Sequence, residues 1–338
     1  MTSSTRLRFG ILGAAKIART FAAAVSSSPL IELRAVASRD LEKGAAFARE
    51  FGIASVHGSY EALLADPQID AVYIPLPNTL HAEWAIRALE AGKHVLCEKP
   101  IAITAADARA MYDTARKCGV TLAEAYPYRA QEQTLKLREL LRDGAIGRVQ
   151  TVHASFGVTF DDPSNIRLDP QRGGGALLDA GSYAMSFVRM IAGENPTRVN
   201  AVARMGATGV DRTVVANLDF ASGLLAQISC SFASAYHRHA LIAGSGGIIE
   251  TTYLNNPPDG GEPVVHLRRG VPISTPRETI VCEGGSGFLK ESESFVRLVR
   301  EGTAQWTGAS EAESVGTIAA LEAIERSVRS GNWEPVEH

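Results

Sequence analysis

A chain of 338 residues, 45% apolar and 21% charged, has the makeup of a folded globular protein long enough for two cores. A formal net charge of −3 supplies no basic field for nucleic acid, and no apolar run approaches the length that spans a bilayer. Cys97, Cys118, Cys230 and Cys282 lie far apart with no metal-ligand spacing, and Met1–Arg6 lacks the apolar core of a secretion signal; a reduced, cytoplasmic protein without a metal site is expected.

Short apolar or β-branched runs at 8–12, 32–37, 71–74, 94–97 and 121–123 alternate with helical periodicity over 16–25, 41–51, 80–91 and 105–117. Strand followed by helix, repeated, predicts a doubly wound parallel sheet. From about residue 148 the texture changes. Strand-like runs at 149–158, 198–205, 213–220, 224–233 and 239–243 follow one another closely, with turn residues at 221–223 and 244–247. Short turns join antiparallel strands, so an open, mainly antiparallel sheet is predicted there. One helix, 176–191, interrupts it; two more, 288–300 and 310–329, close the chain, and 255–262 is expected to be a surface loop. The fold class is α/β followed by α+β. Residues 1–124 are expected to form one domain and residues 125–338 a second, with the last helices free to pack back on the first.

The loop Gly13-Ala14-Ala15-Lys16-Ile17-Ala18 joins the first strand to the first helix. It matches the glycine-rich dinucleotide fingerprint except for Ala15 at the second glycine, where a methyl group pushes the pyrophosphate outward. The second strand ends Ser38-Arg39-Asp40. A serine and an arginine there suit the 2′-phosphate of NADP(H) rather than the free ribose of NAD(H), with Asp40 starting the next helix; the alternative is a solvated arginine. Leu76, Asn78 and His81 leave the third long strand on the edge where ligands bind in such sheets. Asn78 and His81 could touch the ribose or nicotinamide; otherwise Asn78 caps a helix and His81 decorates its first turn. Glu98-Lys99-Pro100 sits at the next exit. Lys99 either acts on a substrate hydroxyl or snorkels from an ordinary helix start. Further on, three glycines, 173–175, precede a predicted helix carrying Asp179 and Tyr183 one turn apart on one face. The glycines would let that helix end press against another backbone or a ligand. A tyrosine acting as acid and base needs a nearby cation; otherwise Tyr183 is a half-buried core aromatic.

GILGAAKIA, PLPNTLH, AGKHVLCEKP, EAYPYR, NIRLDP and GGGALLDAGSY, in that order, resemble the glucose-fructose oxidoreductase/inositol dehydrogenase/rhizopine catabolism (Gfo/Idh/MocA) family along essentially the whole chain. The Glu-Lys-Pro element with its downstream GGGxLxDxGxY/H helix is the specific part. The resemblance implies a Rossmann domain, a C-terminal sheet that assembles a homodimer or homotetramer, and a sugar or polyol substrate. It also implies Lys99 and Tyr183 as the catalytic pair, with tyrosine rather than histidine pointing to the dihydrodiol- and xylose-dehydrogenase-like branch. Asp179, Tyr128, Arg129, Asn165 and Arg167 would contact substrate, Arg167 also the cofactor, and Ile166 stands where many relatives carry tryptophan; Lys99 would lie beside the nicotinamide, and Glu98 either ties down its turn or touches the ribose. The expected activity is reversible hydride transfer between NADP(H) and a sugar hydroxyl or carbonyl carbon. Two alternatives are a sugar–sugar oxidoreductase with a recycling bound cofactor and a non-catalytic dinucleotide-sensing regulator. Neither nucleic acid nor membrane is an expected partner.

Overall fold

The computed structural model describes residues 6–258 and 261–337. They divide into two compact units. One holds the described residues up to Ala102 with Ala106–Ala130 and Ser286–Glu311; the other holds Ile103–Ala105, Gln131–Gly285 and the residues from Ala312 onward.

In the first unit the alternating apolar runs become β1 (Leu7–Leu12), α1 (Lys16–Val25), β2 (Ile31–Ala37), α2 (Leu41–Phe51), β3 (Ser55–His57), α3 (Tyr60–Leu64), β4 (Ala71–Ile74), α4 (His81–Glu90), β5 (His94–Glu98), α5 (Ala105–Cys118) and β6 (Leu122–Ala125). The strands form one parallel sheet in the order β3-β2-β1-β4-β5-β6. Its order reverses between β1 and β4, which opens the crevice where such sheets take ligands. β3 and α3 are absent from the predicted elements because three and five residues are too short to show a period. β6 runs on to Ala125 and so carries Glu124 into the interior, fully buried. Asp40 caps α2 by accepting the Lys43 N–H at 3.1 Å, as its position predicts.

The core of this unit is aromatic. Phe21 of α1 stacks on Tyr73 of β4 at 3.8 Å between ring centroids, and Phe9 of β1 meets Phe21 at 6.0 Å. Phe9 also meets Phe295 at 5.9 Å, so a helix from near the end of the chain completes a core begun at its start.

The second unit contains α6 (Glu132–Arg142), β7 (Val149–Gly157), α7 (Ser182–Ala192), β8 (Pro196–Met205), β9 (Asp211–Phe220), β10 (Leu225–Ser231), β11 (His237–Gly244), β12 (Gly247–Thr251), β13 (Val264–Arg269) and β14 (Glu278–Val281). After α8 (Gly287–Glu301), which belongs to the first unit, α9 (Glu311–Ser330) and β15 (Glu334–Pro335) end the described chain. The sheet order is β14-β13-β12-β11-β7-β10-β9-β8-β15, antiparallel throughout except that β7 and β10 pair in parallel. Short turns do enforce antiparallel pairing at β8–β9–β10 and β11–β12. The β7/β10 pair escapes that constraint because α7, β8 and β9 intervene, giving the chain room to return in the same direction.

Two further expectations change. The helix expected over 176–191 is a π-helical turn, Leu177–Gly181, leading into α7, so Asp179 sits in a widened turn and Tyr183 in the α-helix proper. The segment 255–262 is not merely surface: Asn255 turns its side chain inward, while residues 259–260 lie outside the described chain. Among the described residues no helix is long and apolar enough to cross a membrane.

Candidate functional site

At the exit of β1, Gly13 adopts φ +106°, and a side chain there would place its Cβ 3.2 Å from Leu76 Cδ2 at the exit of β4. Glycine is therefore needed both for the backbone conformation and for the close approach of the two strand exits that flank the crevice. Ala15 is the N-cap of α1, contributes no side-chain cap, and no acid occupies the first turn. Ala14, Ala15 and Ile17 are half-buried and Lys16 is exposed. The first N–H groups of α1 thus carry no capping side chain and face no carboxylate in that turn, an arrangement that fits a dinucleotide pyrophosphate.

At the end of β2, Ser38 is buried and its Oγ accepts the Asp40 N–H at 3.2 Å, while Arg39 is exposed. The Asp40 carboxylate is committed to its helix cap. At the β4 exit Leu76 is buried and Asn78, half-buried, begins a 3₁₀ turn. His81, expected at the cofactor, is buried with its ring nitrogens on the chain itself, 2.8 Å from the carbonyl oxygens of Leu76 and Pro100. Burial holds it below the usual imidazole range, so the neutral ring donates to one carbonyl at a time. It ties the β4 exit to the turn after β5.

That turn carries Lys99, half-buried, followed by a cis peptide bond to Pro100. Glu98 beneath it is buried; Tyr73 Oη donates to its Oε1 at 2.5 Å, and the Lys99 N–H donates to its Oε2 at 3.3 Å. Glu124 braces the far side of the turn by accepting the Ile101 N–H at 2.9 Å. Burial, then the charge of Glu98, pushes the carboxyl of Glu291 on α8 well above its usual range, with Arg129 opposing. Arg129 and Tyr128 are themselves buried in this unit, in the 3₁₀ turn Pro127–Ala130 that packs on α8.

In the second unit, Gly174 and Gly175 donate their N–H groups to the carbonyls of Asp169 and Arg167 at 3.0 and 2.9 Å. A Cβ on Gly174 would lie 2.6 Å from the Arg167 oxygen. Of the two neighbours expected for these glycines, the structure gives backbone: that of the Asn165–Arg167 turn. Asn165 caps that turn by accepting the Arg167 N–H at 3.1 Å. The Arg167 guanidinium lies 5.1 Å from the Phe160 ring centroid and pairs with Asp179 at 2.7 Å. Phe160 thus gives Arg167 an aromatic face although Ile166, beside it in sequence, is exposed. Asp211 of β9 accepts the Leu177 N–H at 2.7 Å and so secures the π turn.

Tyr183 is 6% exposed, edge-on to Phe156 at 5.6 Å, and its oxygen accepts a hydrogen bond from Asn255 Nδ2 at 3.0 Å. The Arg238 guanidinium lies 4.2 Å from its ring centroid. Neither Asn255 nor Arg238 is among the candidates read from sequence. Arg238 was detectable in principle, since the alternation of HRHALIA puts it on the same face as Ala240 and Ile242; Asn255 left no signal in its Pro/Gly-rich loop.

Residues 7–126 match the GFO/IDH/MocA oxidoreductase family's NAD-binding Rossmann fold, and residues 134–250 match its C-terminal domain. The chain belongs to the GFO/IDH/MocA family. It is an NAD(P)-dependent oxidoreductase acting on CH–OH groups, as are family members similar to it. Among them, D-xylose 1-dehydrogenase (NADP(+)) 2 of Haloferax volcanii is 35% identical over 329 residues, covering 96% of this chain and 98% of the relative. Mouse trans-1,2-dihydrobenzene-1,2-diol dehydrogenase is 39% identical over 253 residues, 73% of this chain and 75% of the relative. Among solved structures, the 3-ketoreductase KijD10 of Actinomadura kijaniata, in complex with NADP and TDP-benzene, superposes with a TM-score of 0.87 at 32% identity, covering 96% of this chain and 98% of that one.

Proposed function

We propose that this GFO/IDH/MocA protein interconverts a hydroxyl and a carbonyl group on a sugar or sugar-like polyol with NADP(H), Tyr183 and Lys99 being the catalytic pair. The observation that carries this reading is the setting of Tyr183. It is a nearly buried phenol at the start of α7, with an amide donor on its oxygen and a cation over its ring. Such surroundings favour a tyrosine that cycles between phenol and phenolate. NADP(H), held by the loop over 13–18 and by Ser38 and Arg39, would supply the hydride chemistry when bound. In oxidation Tyr183 accepts the substrate hydroxyl proton, and in reduction it returns a proton to the nascent alkoxide. Lys99 supplies the positive charge that steadies the reacting oxygen, its backbone N–H held by Glu98 and the turn after it by Glu124 through Ile101. Asp179, oriented by Arg167, binds substrate hydroxyls, and Asn165 holds the turn that carries Arg167.

Solved variants of the Actinomadura ketoreductase replace a lysine and a tyrosine that stand as far apart in its sequence as Lys99 and Tyr183 do here. The preference for NADP(H) rests on the exposed Arg39 beside Ser38, on the commitment of Asp40 to a helix cap, and on relatives whose names specify NADP. Homo-oligomerisation through the C-terminal sheet is part of the same reading: its open face leaves Val202 65% and Leu225 54% exposed. Light scattering on the purified protein checks this directly, and a monomer would remove it. The four free cysteines fit a cytoplasmic setting.

The test is an assay of sugars and ketosugars with NADP(H) and NAD(H), followed at the nicotinamide absorbance. Tyr183→Phe and Lys99→Ala are each expected to lower kcat by at least about a hundredfold while leaving the NADPH dissociation constant nearly unchanged. Retained turnover in either variant removes that residue from the mechanism. Preference for NAD(H) removes the reading of Ser38 and Arg39.

A further inference from the structure

Strand β11 places an arginine where its alternation calls for an apolar residue. His237 and His239 are exposed, whereas Arg238 is 5% exposed and shares the inner face with Ala240 and Ile242. Its guanidinium carbon lies 4.2 Å from the ring centroid of Tyr183, 4.6 Å from that of Phe156 and 4.8 Å from that of Tyr253. Its Nε and Nη2 are buried without a hydrogen-bond partner. A buried guanidinium is ordinarily held by a carboxylate; this one is caged by three aromatic rings.

The other titratable groups near Tyr183 in the second unit have roles of their own, and Lys99, its proposed catalytic partner, would act at the oxygen rather than on the ring. Asp179 in the preceding turn is paired with Arg167, and Asp211 of β9 holds the Leu177 N–H. Cys230 of β10 is a buried thiol that burial keeps protonated. The Tyr253 hydroxyl donates to the Ser155 carbonyl at 2.7 Å. His153 of β7, like His237 and His239, lies on the exposed face.

An aromatic ring attracts a cation through its quadrupole, and a phenolate attracts it far more strongly, because its negative charge spreads into the ring carbons. A cation stacked on the ring therefore favours the ionised tyrosine. With Nε and Nη2 buried, the guanidinium lies over the ring of Tyr183 and its charge reaches that ring directly.

We propose that Arg238 is a positioning residue that stabilises the tyrosinate form of Tyr183 from the ring face, complementing the Asn255 hydrogen bond at the oxygen. The proposal rests on the reading of Tyr183 as the proton-transfer group. Arg238→Met keeps an unbranched apolar stem while removing the charge, an exchange that buried sites commonly tolerate. Ionisation of Tyr183 is read without substrate from the ultraviolet difference spectrum of tyrosinate, subtracting the same titration of a Tyr183→Phe control in each background. Arg238→Met is expected to raise the midpoint by about one pH unit or more, a tenfold change in the ionisation equilibrium. The rise of kcat/KM with pH in the oxidative direction is expected to move with it. Arg238→Lys, which keeps the charge, is expected to stay closer to the parent in both readouts. An unchanged midpoint in folded Arg238→Met overturns the proposal, and so does Arg238→Lys shifting as far as methionine. If the methionine variant does not fold, Arg238→Lys decides alone: a midpoint near the parent's supports the proposal, and a shift of about a full unit overturns it. Full activity of Tyr183→Phe would remove the proton-transfer role, whereas the ionisation midpoint would still decide for or against Arg238.

Discussion

Glu98, Glu124 and Glu291 bring three carboxyl groups into the interior of the first unit, each less than a tenth exposed. Glu98 and Glu124 accept hydrogen bonds around the Lys99 turn, whereas Glu291 is raised by burial and by the charge of Glu98. The folded chain therefore prefers Glu291 protonated. A raised carboxyl gives stability that is complete below its unfolded pKa and is lost as pH climbs toward the folded value. Glu291→Gln keeps the uncharged form at every pH. Its melting temperature is expected to match or exceed the parent's on the alkaline side and to fall less between about pH 5 and pH 8. Calorimetry across that range checks this; parallel pH profiles for the two proteins would show that Glu291 ionises alike in the folded and unfolded chain, with no raised pKa.

The glycine loop is an element whose function depends on having no side chain. At φ +106° and with Leu76 beside it, Gly13→Ala both strains the backbone and crowds the β4 exit. A cost of about 1–3 kcal/mol at such a position corresponds to roughly a tenfold to hundredfold weaker NADPH binding if strain falls on the bound loop. Fluorescence titration measures this, and unaltered affinity would show that the loop does not cradle the pyrophosphate. The strand–helix alternation around this loop was legible in sequence because each element shows its own period. The π turn before α7 was not, because the widened register depends on Asp211, far along the chain, taking the Leu177 N–H. Lys99 and Tyr183 stood out through their motifs. Arg238 and Asn255 did not, since their meaning comes from β11 and the loop after β12 folding against α7. Glu291 was equally silent: nothing in the helical run around it marks the buried carboxylates it meets.

At the scale of the whole molecule, the two units are interleaved in sequence. The first is left at Ala130 and resumed at Ser286, after all of the second's sheet except the short strand β15 has been laid down. Phe288, Phe295 and Val296 of α8 are buried in the same core as Phe9 and Phe21. A fragment ending at Ala130 is therefore expected to be poorly soluble and to bind a hydrophobic dye, while joining 286–311 to it through a flexible linker restores a folded sheet. Sedimentation and dye fluorescence of the two fragments check this, and a soluble, dye-silent short fragment would show that α8 is dispensable. On the ribosome the same geometry imposes a delay. At ordinary translation speeds, on the order of ten seconds to half a minute separates the emergence of Ala130 from that of α8. For that interval the nascent dinucleotide-binding sheet presents an uncovered aromatic face. A chaperone able to shield it would be needed at mid-synthesis, well before the finished polypeptide is released.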